Sequence, residues 1–534
     1  MQQQLSPDQK SEIRKRLFLH LDGWVLAPSL YNLHLVGVLD LFLKKRSWCL
    51  NDLCSETQTN EGYINVALRL LASQGYLERT VDNEKDSIQL MLTNLGEEAF
   101  KKVERYKAVH ELINDYSVRP RNIISCSAKI QALEEALKQL NAFRKNQITE
   151  LDERIVFHIE GILIGAMLVG LGIEEVLQSI DEKTVLTHTQ LKLPFRTFNW
   201  FMQLIETMGY LLKPTSKGQL TTMGIQHFKR ASAYGVTLSY LPTFAQLDTL
   251  FKGDANELWK KNEGGHESHV YRYMNVWGSG GAHRGYFKKV DQIVIELFNR
   301  PINEQPKGII DVGCGDGSFI THVHKVISEK TQRGKQLDKY PLFIMGVDFN
   351  EKARIATKKR LQSEKINAHV AYGDISRPKE LSQMLEDKHN IQLSDLLNTR
   401  TFLDHNRIYQ PPENTKLSCK SDGAFAFRGR RIPNNELFQN LSNHLKSWAP
   451  YISKYGLLIV ELHSINPAIA SENIGKTLAT PYEGTHGYSD QYIVELPIFL
   501  NAAKRADLLP LPGFSYKIPH ENRASVSIQL LRGQ

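Results

Sequence analysis

Residues 308–320 read Gly-Ile-Ile-Asp-Val-Gly-Cys-Gly-Asp-Gly-Ser-Phe-Ile. Ile309 and Ile310 form a short apolar strand that runs into a loop with glycine at 313, 315 and 317, and the apolar residues from Phe319 onward open a helix. Glycines at alternate positions let the backbone bend sharply and bring main-chain N–H groups against a ligand where a side chain would collide. The spacing is not the Gly-x-Gly-x-x-Gly of dinucleotide sites, and no Gly-Lys-Ser/Thr follows to hold a phosphate.

Working outward, Leu342 to Val347 is an apolar run ending in Asp348-Phe349-Asn350, about 30 residues past the loop, where a doubly wound sheet places its second strand. Ala368 to Tyr372 is a third short strand, ending in Gly373-Asp374-Ile375. Asp311-x-Gly313-x-Gly315-x-Gly317 followed by these two acidic strand ends resembles the class I S-adenosylmethionine (SAM) methyltransferases. The resemblance implies that Asp311, the three glycines, Asp348, Phe349, Asp374 and Ile375 bind the cosubstrate. Asp348 would accept the ribose hydroxyls and Asp374 would contact adenine. The expected fold class is α/β: a C-terminal Rossmann-like seven-stranded sheet, residues 301–534, behind two mainly helical repeats and a lid.

The 534 residues, 41% hydrophobic and 23% charged, imply several globular domains. No apolar run reaches the length that crosses a bilayer, the longest being residues 161–176, and the start shows no signal-peptide pattern, so no membrane is expected and a cytoplasmic location is. The five cysteines form no C-x-x-C pair, which removes a zinc knuckle or disulfide framework from consideration. A net charge of +8 permits an acidic partner without pointing to nucleic acid.

The first 250 residues contain an internal repeat. Gly37, the run Leu68 to Gly75-Tyr76-Leu77, and Leu92-Thr-Asn-Leu-Gly96 reappear as Gly172, the run Met202 to Gly209-Tyr210-Leu211, and Leu220-Thr-Thr-Met-Gly224. Each copy reads as helices, a Gly-Tyr-Leu stop and a β-hairpin, which resembles a winged helix. The expected units are 1–115 and 156–245, joined by a connecting helix within 116–155. The presumptive recognition helix of copy one carries only Arg69 and that of copy two only Arg196, too few cations to hold phosphates. In small-molecule O-methyltransferases and polyketide-associated C-methyltransferases, similar modules pair subunits and roof the active site. That role, including a homodimer, is expected here, with a DNA-binding or SAM-sensing regulator as the non-enzymatic alternative.

Residues 264–287 mix glycines and histidines with Trp277, Tyr271, Tyr273, Tyr286 and Phe287 and read as a lid within 246–300. Asn275-Val-Trp-Gly-Ser-Gly-Gly-Ala-His283 resembles the segment before the glycine loop in the iron-dependent C-methyltransferases of polyketide starter modules, the apratoxin-type group. By that resemblance Gly280 approaches the methionine end of SAM. The Asp404-His405-Asn406-Arg407, Gly423-Ala-Phe-Ala426 and Leu457-Leu-Ile-Val-Glu-Leu-His463 segments also resemble this group.

The chemistry such a group performs sets what to look for. Methylating a malonyl carbon requires removal of its α-proton, and a divalent metal chelated by carboxylate and thioester carbonyl stabilises the resulting enolate. Imidazole with amide or carboxylate oxygen suits Fe or Mn. His463, Gln491 and His486 are the first ligand candidates. His405, His463 and Asp404 are the catalytic candidates, and His405 or His463 serves equally as a metal-free base. The reading is a SAM-dependent methyltransferase acting on a malonyl-type thioester of an acyl carrier protein, with a small-molecule O-methyltransferase as the enzymatic alternative. Arg428, Arg430 and Arg431 are the cations available to an acidic carrier, though a solvated loop accounts for them as well.

Overall fold

The computed structural model describes residues 5–118, 130–146, 149–212, 218–260 and 267–533, with the side chains of 116–118 and 280–284 outside the description. In the C-terminal half, β4 (Gly308–Val312), β5 (Phe343–Asp348), β6 (His369–Tyr372), β7 (Leu396–Thr401) and β10 (Leu457–Leu462) are parallel, and β11 (Leu508–Ile518) and β12 (Val526–Gly533) are antiparallel. The seven-stranded order is β11-β12-β10-β7-β4-β5-β6. Every residue of β4 is buried, with Ile310 and Val312 in the core on one face and Ile309 in the core on the other, as an unbroken apolar strand of a two-faced parallel sheet should be. The chain runs from β4 outward to β6 and then returns to β7 on the other side. The strand order therefore reverses between β4 and β7, and that crevice is where such sheets bind ligands.

Residues 525–531 belong to β12, which lies inside the sheet between β10 and β11. The edge on that side is β11, a place that suits Pro510 and Pro512, since proline cannot donate to a ladder and is tolerated mainly at edges.

The repeat is a structural one. In copy one, β1 (Ser47–Cys49), β2 (Leu77–Asp82) and β3 (Ser87–Leu92) form a small antiparallel sheet beside the helix Glu61–Ser73. Gly75 and Gly209 both end their helices at φ near +75°. Tyr76 N–H bonds to Leu71 and Tyr210 N–H to Ile205, while Thr93 and Thr221 each cap the next helix through their hydroxyls. Copy two has a reduced hairpin, seen as the bridges Leu211–Leu220 and Val185–Gln219, and residues 213–217 lie outside the description. The expected connecting helix is two helices, Ile130–Lys145 and Glu150–Ile173, so position 155 falls inside the second.

Among the described residues, Glu150–Ile173 is a helix long and apolar enough to cross a membrane, longer than the 161–176 run suggested, yet it is mostly buried against Pro7–Leu35. The two helices cross through glycine. A Cβ on Gly161 would lie 2.4 Å from His20 Cα, and one on Gly23 would lie 2.5 Å from His158 Cα. Beside this crossing a buried chain of hydrogen bonds links both copies: Tyr210 to His227 (2.8 Å), His227 to Tyr234 (2.8 Å), Tyr234 to His20 (2.6 Å) and His20 to Glu160 (2.9 Å), with Arg16 and Arg144 on the Glu160 carboxylate. Burial holds both histidines well below their ordinary pKa, so each is neutral, donating at one nitrogen and accepting at the other along the chain. Gly161→Ala is expected to destabilise the protein by about 2 kcal/mol in chemical denaturation, because overpacking outweighs the ~1 kcal/mol alanine gains in a helix. An unchanged or raised midpoint would show that the helices can part freely.

The helix Glu61–Ser73 does not face outward. Arg69 is buried, with Nε donating to the Asp422 carbonyl (2.8 Å), Nη2 to that of Ile465 (3.0 Å) and Nη1 paired with Glu483. Arg79 donates to the carbonyls of Asp422 (2.7 Å) and Gly423 (3.1 Å), and Gly62 N–H to that of Gly429 (2.9 Å). The hairpin of β8 (Phe425–Phe427) and β9 (Arg430–Ile432) rests on this helix. Its arginines are neutralised within the chain: Arg428 lies 3.4 Å from Asp490, Arg430 2.8 Å from Glu436, and Arg431 pairs with Glu61 and Asp86. They do not form the free basic surface considered from the sequence.

The stretch read as a glycine-rich lid is the helix Arg272–Asn299. Gly278 allows a close crossing, since a Cβ there would lie 2.5 Å from Val236 N, and Tyr286 stacks edge-on to Phe402 at the end of β7.

Candidate active site

The glycine loop leaves β4 with Gly313, Gly315 and Gly317 all at positive φ, which is why no other residue type suits these positions. Gly313 and Cys314 N–H groups bond to the Val347 carbonyl, pinning the loop to the end of β5. Gly315 N–H donates to Asp348 Oδ2 (3.0 Å) and Asn350 N–H to Asp348 Oδ1 (2.8 Å). Burial raises the Asp348 carboxyl, against these N–H groups and the cations of Arg354 and Arg272. Phe349 and Tyr372 stand exposed next to it, ring centroids 5.6 Å apart, as two apolar faces at the ends of β5 and β6. Asp374 accepts from Ser376 N–H (2.8 Å) and its hydroxyl (2.7 Å), which turns the chain at the end of β6.

Asp311 occupies the crevice itself. It is buried, its Oδ1 accepts from the Thr399 hydroxyl (2.8 Å) across to β7, and its Oδ2 has no partner among the described residues. Burial pushes its carboxyl up to about 7, offset in part by Thr399 and reinforced by Asp348.

The ends of β7 and β10 bring a second group to the same edge. A Cβ on Gly313 would lie 2.7 Å from Leu403 Cδ2, so the glycine loop packs directly on the residue preceding Asp404-His405. Glu461, buried at the end of β10, is the organiser. Its Oε1 faces His405 Nδ1 (2.5 Å) and Leu462 N–H (2.7 Å), and its Oε2 accepts from Asp404 N–H (2.8 Å) and His405 N–H (3.3 Å). The Glu461 carboxylate accepts the hydrogen bond from His405 Nδ1, which sets the tautomer with the lone pair on Nε2. His486 lies against His405, ring centroids 4.9 Å apart, and its Nδ1 faces the Tyr482 carbonyl (2.6 Å). Burial, with His405 beside it, brings the His486 pKa down to about 3. Gln491 Nε2 donates to the Tyr240 hydroxyl (2.9 Å) and to Ser489 (3.2 Å). The Arg272 guanidinium lies within electrostatic reach of both Asp348 and Tyr240, which joins this group to the glycine-loop side of the crevice.

Several predicted residues stand elsewhere in role. His463 is committed at both nitrogens, Nε2 to the Ser527 hydroxyl (2.8 Å) and Nδ1 to the Val494 carbonyl (3.2 Å), and burial lowers its pKa to about 4. It fastens β10 to β12 and offers no lone pair to a metal or a substrate proton. Asp404 is buried against Arg400 (2.7 Å) and His444 (3.0 Å), which keep its carboxyl below the ordinary range although burial opposes them. Both contacts are to Oδ1, which anchors the turn, while Oδ2 has no partner among the described residues. His486 sits near the end of the helix Ala479–Gly487. Ile375 is a core residue whose carbonyl accepts from Trp448. Gly280 lies within Arg272–Asn299, with its surroundings outside the described residues. Glu461 was visible in the sequence at a strand end, whereas Tyr240, some 250 positions from Gln491, carried no signal there.

The comparisons agree with this arrangement. Residues 267–529 match the AprA MT2-like domain, residues 13–79 the AprA N-terminal domain and residues 160–254 the AprA winged helix domain. No curated protein sequence matches the chain. Among solved structures, an O-methyltransferase family protein from Burkholderia thailandensis is similar at 11% identity, over 70% of this chain and 95% of that one, with a TM-score of 0.40. An O-methyltransferase family 2 protein from Planctomyces limnophilus, in complex with apigenin, is similar at 11% identity over 99% and 97%, with a TM-score of 0.37. With three AprA domains matched in chain order and the donor loop and acidic strand ends in place at the crevice, the chain belongs to the AprA-like family and is a class I SAM-dependent methyltransferase.

Proposed function

We propose that the enzyme C-methylates a malonyl-type acyl thioester presented by an acyl carrier protein. The observation that carries this reading is the buried Glu461–His405 pair beside the glycine loop. Its free Nε2 is a base placed where an acceptor proton must leave, and proton abstraction is what a carbon acceptor needs before in-line attack on the sulfonium methyl. Asp348 takes the ribose hydroxyls, Phe349 and Tyr372 flank the adenine, and Asp374 orders the turn beside it. The unpartnered Oδ2 of Asp311 receives the ammonium end of the donor.

The residues also fit a divalent metal, though not in the set first considered. His405 and His486 each have Nδ1 tied to an acceptor, the arrangement that frees Nε2 for coordination. Gln491 engages its amide nitrogen and so turns its oxygen to other partners. These three would hold Fe or Mn, with His405 in place of His463; a metal there would take the His405 Nε2 lone pair, and His405 would then serve as ligand in place of base. Among the described residues no three or more His, Cys, Asp or Glu are placed to hold a metal ion by themselves, so the set depends on the amide. A metal bound there supplies positive charge to the enolate oxygens.

A carboxylate-fixed imidazole serves equally to deprotonate a phenol, which supports small-molecule O-methylation as the second reading. Mass spectrometry separates them. Malonyl-carrier protein incubated with enzyme, SAM and Fe or Mn is expected to gain one or two methyl groups. No gain there, with methylation of phenolic acceptors, would overturn the C-methyltransferase reading.

Asp311 gives the donor site a pH dependence. Burial favours its neutral acid below about pH 7, and the cationic donor favours the carboxylate, so SAM binding should release a proton. Affinity should rise about tenfold or more from pH 5.5 to 7.5, while Asp311→Asn should bind more weakly and flatten the profile. Calorimetry in buffers of different ionisation enthalpy checks both. A flat wild-type profile would remove Asp311 from this role.

A further inference from the structure

The helix Glu351–Ser363, which follows the donor-binding end of β5, buries only Thr357 and Leu361 of its 13 residues. Residues 351–365 carry six cations against two carboxylates, a net charge of +4, half of the +8 on the whole chain. The helix uses those cations in two ways. Towards the donor site, Arg354 donates to the carbonyls of Asp348 (3.0 Å) and Phe349 (2.9 Å), and Arg360 donates to the Asp316 carbonyl (2.9 Å) and carboxylate (2.6 Å), so both brace the glycine loop and the end of β5. Towards solvent, Lys352, Lys358 and Lys359 are exposed around Ile355, which is itself 61% exposed. Spacings of three and four residues make all three lysines neighbours of Ile355 on the helix surface. Lys358 and Lys359 have no ion-pair partner among the described residues, whereas Arg428, Arg430 and Arg431 are each paired with a carboxylate. A lone exposed isoleucine is ordinary, but one ringed by lysines beside a substrate crevice has the make-up of a docking surface, an apolar centre within a charged rim.

We infer that this helix face is where the acyl carrier protein docks. The inference rests on the proposed reading of the reaction and adds the surface that receives its partner. A carrier protein is acidic as a rule, so its carboxylates complement the lysines while an apolar side chain among them covers Ile355. The position fits delivery of the acyl group. Asn350 caps the helix at the carboxyl edge of the sheet, its side chain accepting from Lys352 and Ala353 N–H, so the first turn stands beside the crevice. Lys358 and Lys359 lie about two turns, roughly 11 Å, down the helix from there. β5 stands two strand spacings, about 10 Å, from β7, with His405 just beyond the end of β7. A phosphopantetheine arm spans that path. Nucleic acid fits the face less well, because phosphate contacts call for a run of cations and an apolar centre adds nothing to them.

The test uses the full chain with two acceptors, malonyl-carrier protein and malonyl-pantetheine, the second lacking the carrier's surface. Lys358→Glu combined with Lys359→Glu should raise KM for malonyl-carrier protein about tenfold or more, with kcat, SAM affinity and the malonyl-pantetheine reaction unchanged. Ile355→Asp, which sets a carboxylate among the lysines, should raise the same KM about fivefold. The wild-type KM for the carrier should climb with added salt, and the double variant should lose that slope. Fluorescence anisotropy of labelled carrier protein reads docking apart from chemistry. No carrier binding by the wild type, unchanged carrier binding and KM in both variants, or an equal loss with malonyl-pantetheine would overturn the inference. Carrier binding that the charge reversal abolishes, without methyl transfer by the wild type, would count against the proposed reaction and leave the docking surface standing. Binding of a DNA or RNA duplex in place of the carrier, lost on the same reversal, would assign the face to nucleic acid and overturn the inference.

Discussion

Asp348→Ala should weaken SAM binding by about a hundredfold or more, since hydrogen bonds to a charged acceptor contribute about 1.5–3 kcal/mol each and the ribose offers two hydroxyls. The substitution also releases the Gly315 N–H, one of the contacts that sets the glycine loop. The ligand-free protein should lose little stability, because burial already works against this carboxylate. Calorimetry of the variant and the wild type, with thermal melts of both in the absence of SAM, reads the two effects separately. A dissociation constant within threefold of wild type would place the donor somewhere other than the end of β5.

The second large effect belongs to Glu461→Gln. Both oxygens of Glu461 face N–H groups: the backbone of Asp404 and His405 on one side, His405 Nδ1 and Leu462 N–H on the other. A carboxylate accepts from all of them. An amide has one accepting atom and must turn its NH2 toward one side. Pointed at the backbone it clashes, and pointed at His405 it forces the imidazole into the other tautomer, with a proton on Nε2 and no lone pair for the acceptor. The expected result is a fall in kcat of about 10²–10³-fold, the range of a lost general base. SAM affinity should hold. His405→Ala should fall by a similar factor, and the double variant should be little worse than either, because the two residues act as one unit. Independent, multiplying losses would show that Glu461 acts apart from His405. Metal analysis of the same variants also asks whether His405 is a ligand, since bound Fe or Mn should drop in His405→Ala and in His486→Ala but persist in His463→Ala.

These two residues differ in how they could be found. Asp348 needs only a local signal: an apolar run of strand length ending in an acid, about 30 residues after the glycine loop. Glu461 stood at a strand end in the same way, but its importance comes from His405, 56 positions earlier, which β7–β10 pairing brings beside it. His463 shows the converse. A histidine one step past a strand end looked available, and the antiparallel pairing of β10 with β12 closed it off against Ser527.

What the sequence determined by itself is the part written in short-range pattern. The glycine loop, the acidic strand ends, the two helix stops at Gly75 and Gly209 and the repeat they mark all follow from backbone conformations that few residues adopt and from periodicities a few residues long. Tertiary structure alone decided which way the side chains at those positions face. It buried Arg69 under the methyltransferase domain, paired Arg428 and Arg431 with carboxylates from distant segments, turned the glycine-rich lid into a helix with Gly278 at a close crossing, and set Tyr240 on Gln491. The physical reason is that a charge or a lone pair is free or spent only in relation to groups the chain brings beside it from far away, and no local pattern encodes that distance.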